Sequence, residues 1–360
     1  MKHFLFLSLL LVCFASCLTE DELKKPFVSY QPESLNDGWK ISSPENEGID
    51  KILLEKVYDD FHANADEWQT RSLLVFRNGK LVAESYTKDN ADRTTPRAIW
   101  SCTKQVTGIL TGIAIEQGVI GSVNDSLSKY LPEVNRYPDK SGITIEHLLT
   151  MKSGIAYSND GLAGQTDDLL RQLPESMNSF ILSLPQSSKS GEKVAYKDGD
   201  PQLIISAIQN ACGKPADEWA HEVLFSKLQI KNLRWNRYMD GVTFGGFGIE
   251  TTPREMAKFG QLVLDKGMWK NTQIVSEAWI NEMTKTRIDK LYERQFCYLW
   301  WKDENRKMLM MSGHGGQYVC VLPEKELVVV MTAEVNTQGD FQFSSNKAFY
   351  WIDCILETLN

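Results

Sequence analysis

The stretch Ser72–Tyr86, SLLVFRNGKLVAESY, restricts the fold more than any other. Two apolar runs, Ser72–Arg77 and Lys80–Tyr86, flank Asn78-Gly79, the dipeptide preferred in a two-residue hairpin turn. Strand patterns return only near the far end, in FCYLWW, KMLMM, GQYVCVLP and ELVVVMTA. Helical spacing fills the rest. Ile49, Ile52, Leu53, Val57 and Phe61 mark one helix before the hairpin. Val106, Ile109, Leu110 and Ile113 line another, which runs from Gln105 to Gly118. TIEHLLTM, PQLIISAIQNACG and SEAWINEM read as further helices, with Pro201 in a first turn and Gly213 past an end. Thr252 and Glu255 form a capping box for TTPREMAKFGQLVLDKG, with Pro253 as its first helical residue. A last helix runs from about Asn346 to Leu359. The simplest assembly is an α/β (α+β) fold: one antiparallel sheet built from the N- and C-terminal strands and flanked by helices. Residues 45–100 and 290–360 form its α/β part, and 101–289 a large helix-rich insertion that makes a cleft with it.

The first residues stand apart. MKHFLFLSLLLVCFASC has a basic Lys2, an apolar run from Phe4 to Val12 and small residues after it, the pattern of an export signal. FASC resembles a bacterial lipobox, which implies lipidation of Cys17 in the cell envelope. Phe14 departs from the usual Leu, and plain signal cleavage is the alternative. Residues 18–44 then read as a tether. The net charge of −8 argues against a nucleic-acid partner. Cys102, Cys212, Cys297, Cys320 and Cys354 are widely spaced, with no CxxC, so neither a disulfide scaffold nor a zinc site is expected. They read as free thiols, with room for one disulfide in an oxidising compartment.

Ser101 stands three residues before Lys104, where a helix begins. Side chains at i and i+3 share a helix face, about 5–6 Å apart at Cβ. A serine there feels the positive end of the helix dipole, and a partly buried lysine can serve as its base. On this stretch alone the plainer reading is preferred, a capping serine and a surface lysine. Four other Ser-x-x-Lys strings, at Ser85, Ser126, Ser190 and Ser344, read as solvated. Two distant strings bear on the choice. AYKDGD places Tyr196 two residues before Asp198 in a turn leading into a helix. A tyrosyl oxygen beside an ammonium can have a lowered pKa and share proton transfer; the alternative is a loop tyrosine. GHGGQ places His314, Gly315 and Gly316 at the head of a strand, where backbone N–H groups can serve an oxyanion; the alternative is a plain turn.

In this order the three strings resemble the Ser-x-x-Lys, Tyr-x-Asn and Lys-Thr-Gly motifs of the serine β-lactamase and penicillin-binding-protein superfamily. The flanks resemble its class C branch, which includes esterases and 6-aminohexanoate-dimer hydrolases. The resemblance implies a β-lactamase/transpeptidase-like fold from about Glu47 to the C-terminus. It makes Ser101 the acylated nucleophile and Lys104 and Tyr196 its proton handlers. It also makes the N–H groups of Ser101 and Gln317 the oxyanion hole, and Asp198, His314, Gly315 and Gly316 substrate-binding positions. No metal or other cofactor is implied. Three departures matter. Asp198 replaces Asn, and its carboxylate would favour the ammonium of Lys104, shifting the base role toward Tyr196. His314 replaces a lysine and is mostly neutral at pH 7, which weakens the case for anionic penicillins or peptide C-termini. Cys297 stands where the branch often has Gly. Cys102, inside the first motif, reads as a core residue.

The leading expectation is an exported, lipid-anchored serine hydrolase acting on an ester or amide of a small molecule or short peptide. A β-lactamase or D-Ala peptidase is the first alternative. A non-catalytic ligand-binding lipoprotein is the second.

Overall fold

Along the chain, strand β1 (Lys40–Ile41), helix α1 (Lys51–Ala63) and the hairpin β2 (Thr70–Arg77)–β3 (Lys80–Tyr86) come first. The helix-rich part opens with β4 (Arg97–Ala98), α2 (Cys102–Glu116), α3 (Ile145–Leu149), α4 (Met177–Ser183) and α5 (Gly199–Cys212). It continues with β5 (Leu233–Trp235), β6 (Ile249–Thr251), α6 (Pro253–Leu264), the small hairpin β7 (Met268–Trp269)–β8 (Thr272–Gln273) and α7 (Glu277–Met283). Strands β9 (Ile288–Leu291), β10 (Arg294–Phe296), β11 (Trp301–Asp303), β12 (Met308–Gly313), β13 (Gln317–Leu322) and β14 (Leu327–Ala333) follow, and α8 (Ser345–Glu357) closes the chain. This computed structural model describes residues 30–156, 176–334 and 345–360; the leader, Cys17 and Ser344 lie outside them.

Nine strands form one sheet in the order β1-β3-β2-β14-β13-β12-β11-β10-β9. The two ends of the chain meet where β14 pairs antiparallel with β2, Val329 opposite Val75. Every pairing is antiparallel except that of β1, which runs parallel to β3 at the edge. Asn78 and Gly79 adopt φ of 50° and 70°, as the β2–β3 turn requires. The central strands β13 and β14 are buried at every position but Thr332, so they read as continuous apolar runs rather than alternating ones. Helix α6 rides on them because Gly260 has no side chain: an added Cβ would stand 2.6 Å from Val319. Helices α1 and α8 pack together through Phe61 and Trp351, with ring centroids 5.4 Å apart.

The structure corrects four expectations and adds one hairpin. The tether reading fails from Tyr30 onward. Tyr30 is buried, Trp39 Nε1 donates to the Arg254 carbonyl at 3.0 Å, and Asp37 pairs with the Arg254 guanidinium at 2.8 Å. FCYLWW is mostly a turn between β10 and β11, with Leu299 at φ 60°. The hairpin β9–β10 was not expected at all. The capping box of α6 is half formed: Thr252 accepts from Glu255 N–H at 3.4 Å, but the Glu255 carboxylate accepts from Lys231 N–H at 3.0 Å and pairs with Lys258. Ser85 is buried, not solvated, with its Oγ 2.6 Å from His62 Nε2. The five cysteines from Cys102 to Cys354 are free thiols.

Candidate active site

A tight turn brings the chain from β4 into α2. Trp100 takes a left-handed φ of 50°, and the N–H groups of Cys102, Thr103 and Lys104 bond the carbonyls of Ile99, Trp100 and Ser101 at 3.1, 2.9 and 3.0 Å. Ser101 is the N-cap residue, yet its side chain makes no capping bond. Instead its Oγ lies 2.8 Å from Lys104 Nζ. Lys104 is fully buried, so the alternative of a capping serine beside a surface lysine does not describe this turn.

Lys104 Nζ also meets the Asp198 carboxylate and the Gly246 carbonyl, the latter at 2.9 Å. Ser101, Asp198 and Gly246 thus offer one acceptor to each of the three donors of an ammonium. Nζ stands 4.9 Å from the centre of the Tyr196 ring. Burial holds the Tyr196 phenol above its ordinary range, although the Lys104 charge and the Ser101 hydrogen bond pull it down. The lowered pKa expected beside an ammonium is therefore not found, because desolvation outweighs the neighbouring charge.

The turn bearing Tyr196 and Asp198 is held from two sides. Asp198 faces Lys104, while the buried Lys197 donates to Ile155 O at 2.8 Å and Ser153 Oγ at 3.3 Å. Ala195 N–H bonds Met151 O at 2.9 Å. Sequence reasoning missed a third support, Gly245-Gly246. A Cβ on Gly245 would lie 2.2 Å from Pro201 O, and one on Gly246 3.0 Å from Asp198 Cα. The only signal was the pair of glycines in TFGGFG, which reads as an ordinary turn.

His314, Gly315 and Gly316 form the turn from β12 into β13, the two glycines with φ of 71° and 94°. His314 is exposed, its ring 5.3 Å from that of Trp100. Gln317 starts β13. Its carbonyl accepts from Cys102 Sγ at 3.4 Å, which draws the head of β13 to the residue after Ser101. Gly313, opposite Gln317, permits this approach: its Cβ would fall 2.3 Å from Ile99 O. Cys102 is buried, as expected, and burial pushes its thiol up. Cys297 is buried too, its Sγ 3.2 Å from Thr284 O. A cavity of about 220 Å³ adjoins this corner, lined by Ile99, Trp100, Met256 and Gln317 and by the Arg71–Asp92 ion pair.

Comparison with known proteins gives one family and three similar proteins. The family model described as Beta-lactamase matches residues 67–347. The 6-aminohexanoate-dimer hydrolase of Paenarthrobacter ureafaciens is 23% identical over 299 residues, covering 75% of this chain and 74% of that protein. Among solved structures, a Bacillus anthracis protein assigned as a 6-aminohexanoate-dimer hydrolase superposes with a TM-score of 0.74 at 19% identity, over 92% of this chain and 91% of its own. EstCE1, a hydrolase with promiscuous acyltransferase activity, gives 0.69 at 15% identity, over 84% and 98%.

Proposed function

The chain belongs to the beta-lactamase family, and on that premise we propose that it is a serine hydrolase cleaving an ester or amide through an acyl enzyme on Ser101. One observation carries the reading: Ser101 Oγ lies 2.8 Å from the buried Lys104 Nζ, and that Nζ stands 4.9 Å from the centre of the Tyr196 ring. Ser101 Oγ attacks the carbonyl carbon, and the carbonyl electron pair moves to its oxygen. The N–H groups of Ser101 and Gln317 receive that oxyanion; a donor of this kind contributes about 2.7–4 kcal/mol. Tyr196 and Lys104 act together as the proton-handling unit, and the reactive form is one proton down. That unit takes the serine proton at the Tyr196 oxygen and passes it to the leaving oxygen or nitrogen as the tetrahedral intermediate breaks. Water then attacks the acyl enzyme, gives its proton to the same unit, and Ser101 is reprotonated. Asp198 and Gly246 hold Lys104 in place. His314, Gly315 and Gly316 border the substrate at the head of β13. With His314 in place of a fixed positive charge, neutral esters and amides of small molecules or short peptides suit the site better than anionic β-lactams.

The test compares wild type and Ser101→Ala on p-nitrophenyl butyrate. Wild type turns over, Ser101→Ala falls to background, and a fluorophosphonate probe adds its mass to the peptide carrying Ser101. Wild-type rates in Ser101→Ala would defeat the assignment.

We also propose export and lipid anchoring at Cys17, on the strength of the basic, apolar and small-residue order of the first residues. In a Gram-negative or Gram-positive host, Cys17→Ala should move the protein from the membrane to the soluble fraction. Persistence in the membrane would refute the anchor.

A further inference from the structure

Two hairpins of the large sheet close on two-residue turns with positive φ at both central residues. The β2–β3 turn uses Asn78 and Gly79, residues that accept this backbone at least cost. The β9–β10 turn uses Tyr292 and Glu293, at φ of 46° and 62°. For a bulky side chain such a φ is an outlier that its surroundings must hold. What meets Tyr292 lies on the side of the candidate site. Its ring stands edge-on to Tyr196 at 6.2 Å and tilted against Trp301 at 6.3 Å, and Trp301 is itself 5.5 Å from Tyr196. Half of Tyr292 nevertheless remains in solvent, at 50% exposure. An aromatic cluster thus runs from Tyr196, which shares Lys104 with Ser101, to a ring that is half exposed. Aromatic rings take up further arenes by edge-to-face or offset contact.

We propose that Tyr292 is a specificity-determining residue whose half-exposed ring extends outward from the Tyr196–Trp301 cluster beside Ser101 and receives a flat arene of the substrate. The inference rests on the ester or amide hydrolase reading above. The arene can belong to the alcohol or to the acyl part, and two substrate pairs separate these. Benzyl acetate against cyclohexylmethyl acetate carries the ring on the alcohol. Methyl phenylacetate against methyl cyclohexylacetate carries it on the acyl group. Within each pair the intrinsic reactivity is similar, so the ratio of kcat/KM reports recognition.

Wild type is expected to prefer the arene in at least one pair. Tyr292→Asn should lower that preference about threefold to tenfold, mainly through KM. Asparagine suits a positive φ, so the melting temperature of this variant should hold or rise, which a merely structural tyrosine would not allow. Tyr292→Phe should keep the preference. An unchanged preference in Tyr292→Asn would overturn the inference, as would a wild type that hydrolyses both members of both pairs equally. In either case p-nitrophenyl butyrate turnover leaves the hydrolase reading standing. Absence of turnover on every ester and amide, with no fluorophosphonate mass on Ser101, defeats that reading and this inference with it.

Discussion

Asp198 puts a carboxylate against the buried ammonium of Lys104. Its charge is one of the influences that raise the Tyr196 pKa, behind burial. Asp198→Asn removes that influence, so Tyr196 gives up its proton at lower pH. The reactive form is one proton down, so the rising limb of kcat/KM should move to lower pH in Asp198→Asn. A pH–rate profile on p-nitrophenyl butyrate measures this, and superimposable limbs would mean that Asp198 does not tune the base. Gly246 acts at the same scale by closeness rather than charge. A methyl there meets the Asp198 backbone at 3.0 Å, while the Gly246 carbonyl accepts from Lys104. Gly246→Ala must shift one of these by a few tenths of an ångström. A displacement of that size should cost about tenfold in kcat with little change in KM, and circular dichroism should show the fold kept.

Helix α2 begins directly after Ser101, the proposed nucleophile, and its setting depends on two small residues. Trp279 of α7 lies across Gly112, where an added Cβ would come within 2.1 Å of the indole, and its Nε1 donates to Gly108 O at 3.1 Å. Two effects compete in Gly112→Ala. Alanine gains about 0.5–1 kcal/mol of helix propensity. Overpacking a buried ring typically costs about 1–3 kcal/mol, and Trp279 is a rigid side chain with little room to turn. The second effect wins, so Gly112→Ala should lower the urea midpoint, whereas an equal or higher midpoint would show that α7 yields freely.

The elements also show what can be read from a sequence. The β2–β3 hairpin was legible because Asn78-Gly79 advertises its turn, and α5 because Gly213 marks its end with φ of 67°. The β9–β10 hairpin was hidden because Tyr292-Glu293 carries no turn signal. FCYLWW looked like a strand because its aromatics are buried, but they are buried in a turn. The sequence strings around Ser101, Tyr196 and Gln317 announced themselves as motifs. The Gly246 carbonyl did not, since a backbone acceptor leaves no trace in residue type. The Tyr196 pKa was misjudged for a related reason: the neighbouring charge was visible in the string, while the depth of burial was set by the whole fold.

At the scale of the whole molecule, catalysis and stability should respond to alkali in opposite directions. Buried thiols at Cys297 and Cys320 are pushed by desolvation from 9.0 to about 12, and Cys102, Tyr58 and Tyr86 are also raised by burial. A raised acid keeps its proton longer in the folded chain than in the unfolded one. Its contribution is therefore intact below pH 9 and is lost between pH 9 and about 12. Each buried thiol should cost on the order of 1 kcal/mol by pH 10. The urea midpoint should therefore fall between pH 8 and 10, while initial rates climb as the Tyr196–Lys104 unit loses its proton. Cys320→Ala separates the two. It removes one titrating thiol from β13, so the stability curve should flatten by about 0.7 kcal/mol per pH unit on average in that window, while the pH–rate limb stays where it was. A stability slope equal to wild type in Cys320→Ala would show that the alkaline loss comes from elsewhere. A rate limb that moved with it would tie the thiol to the proton-handling unit across the strand.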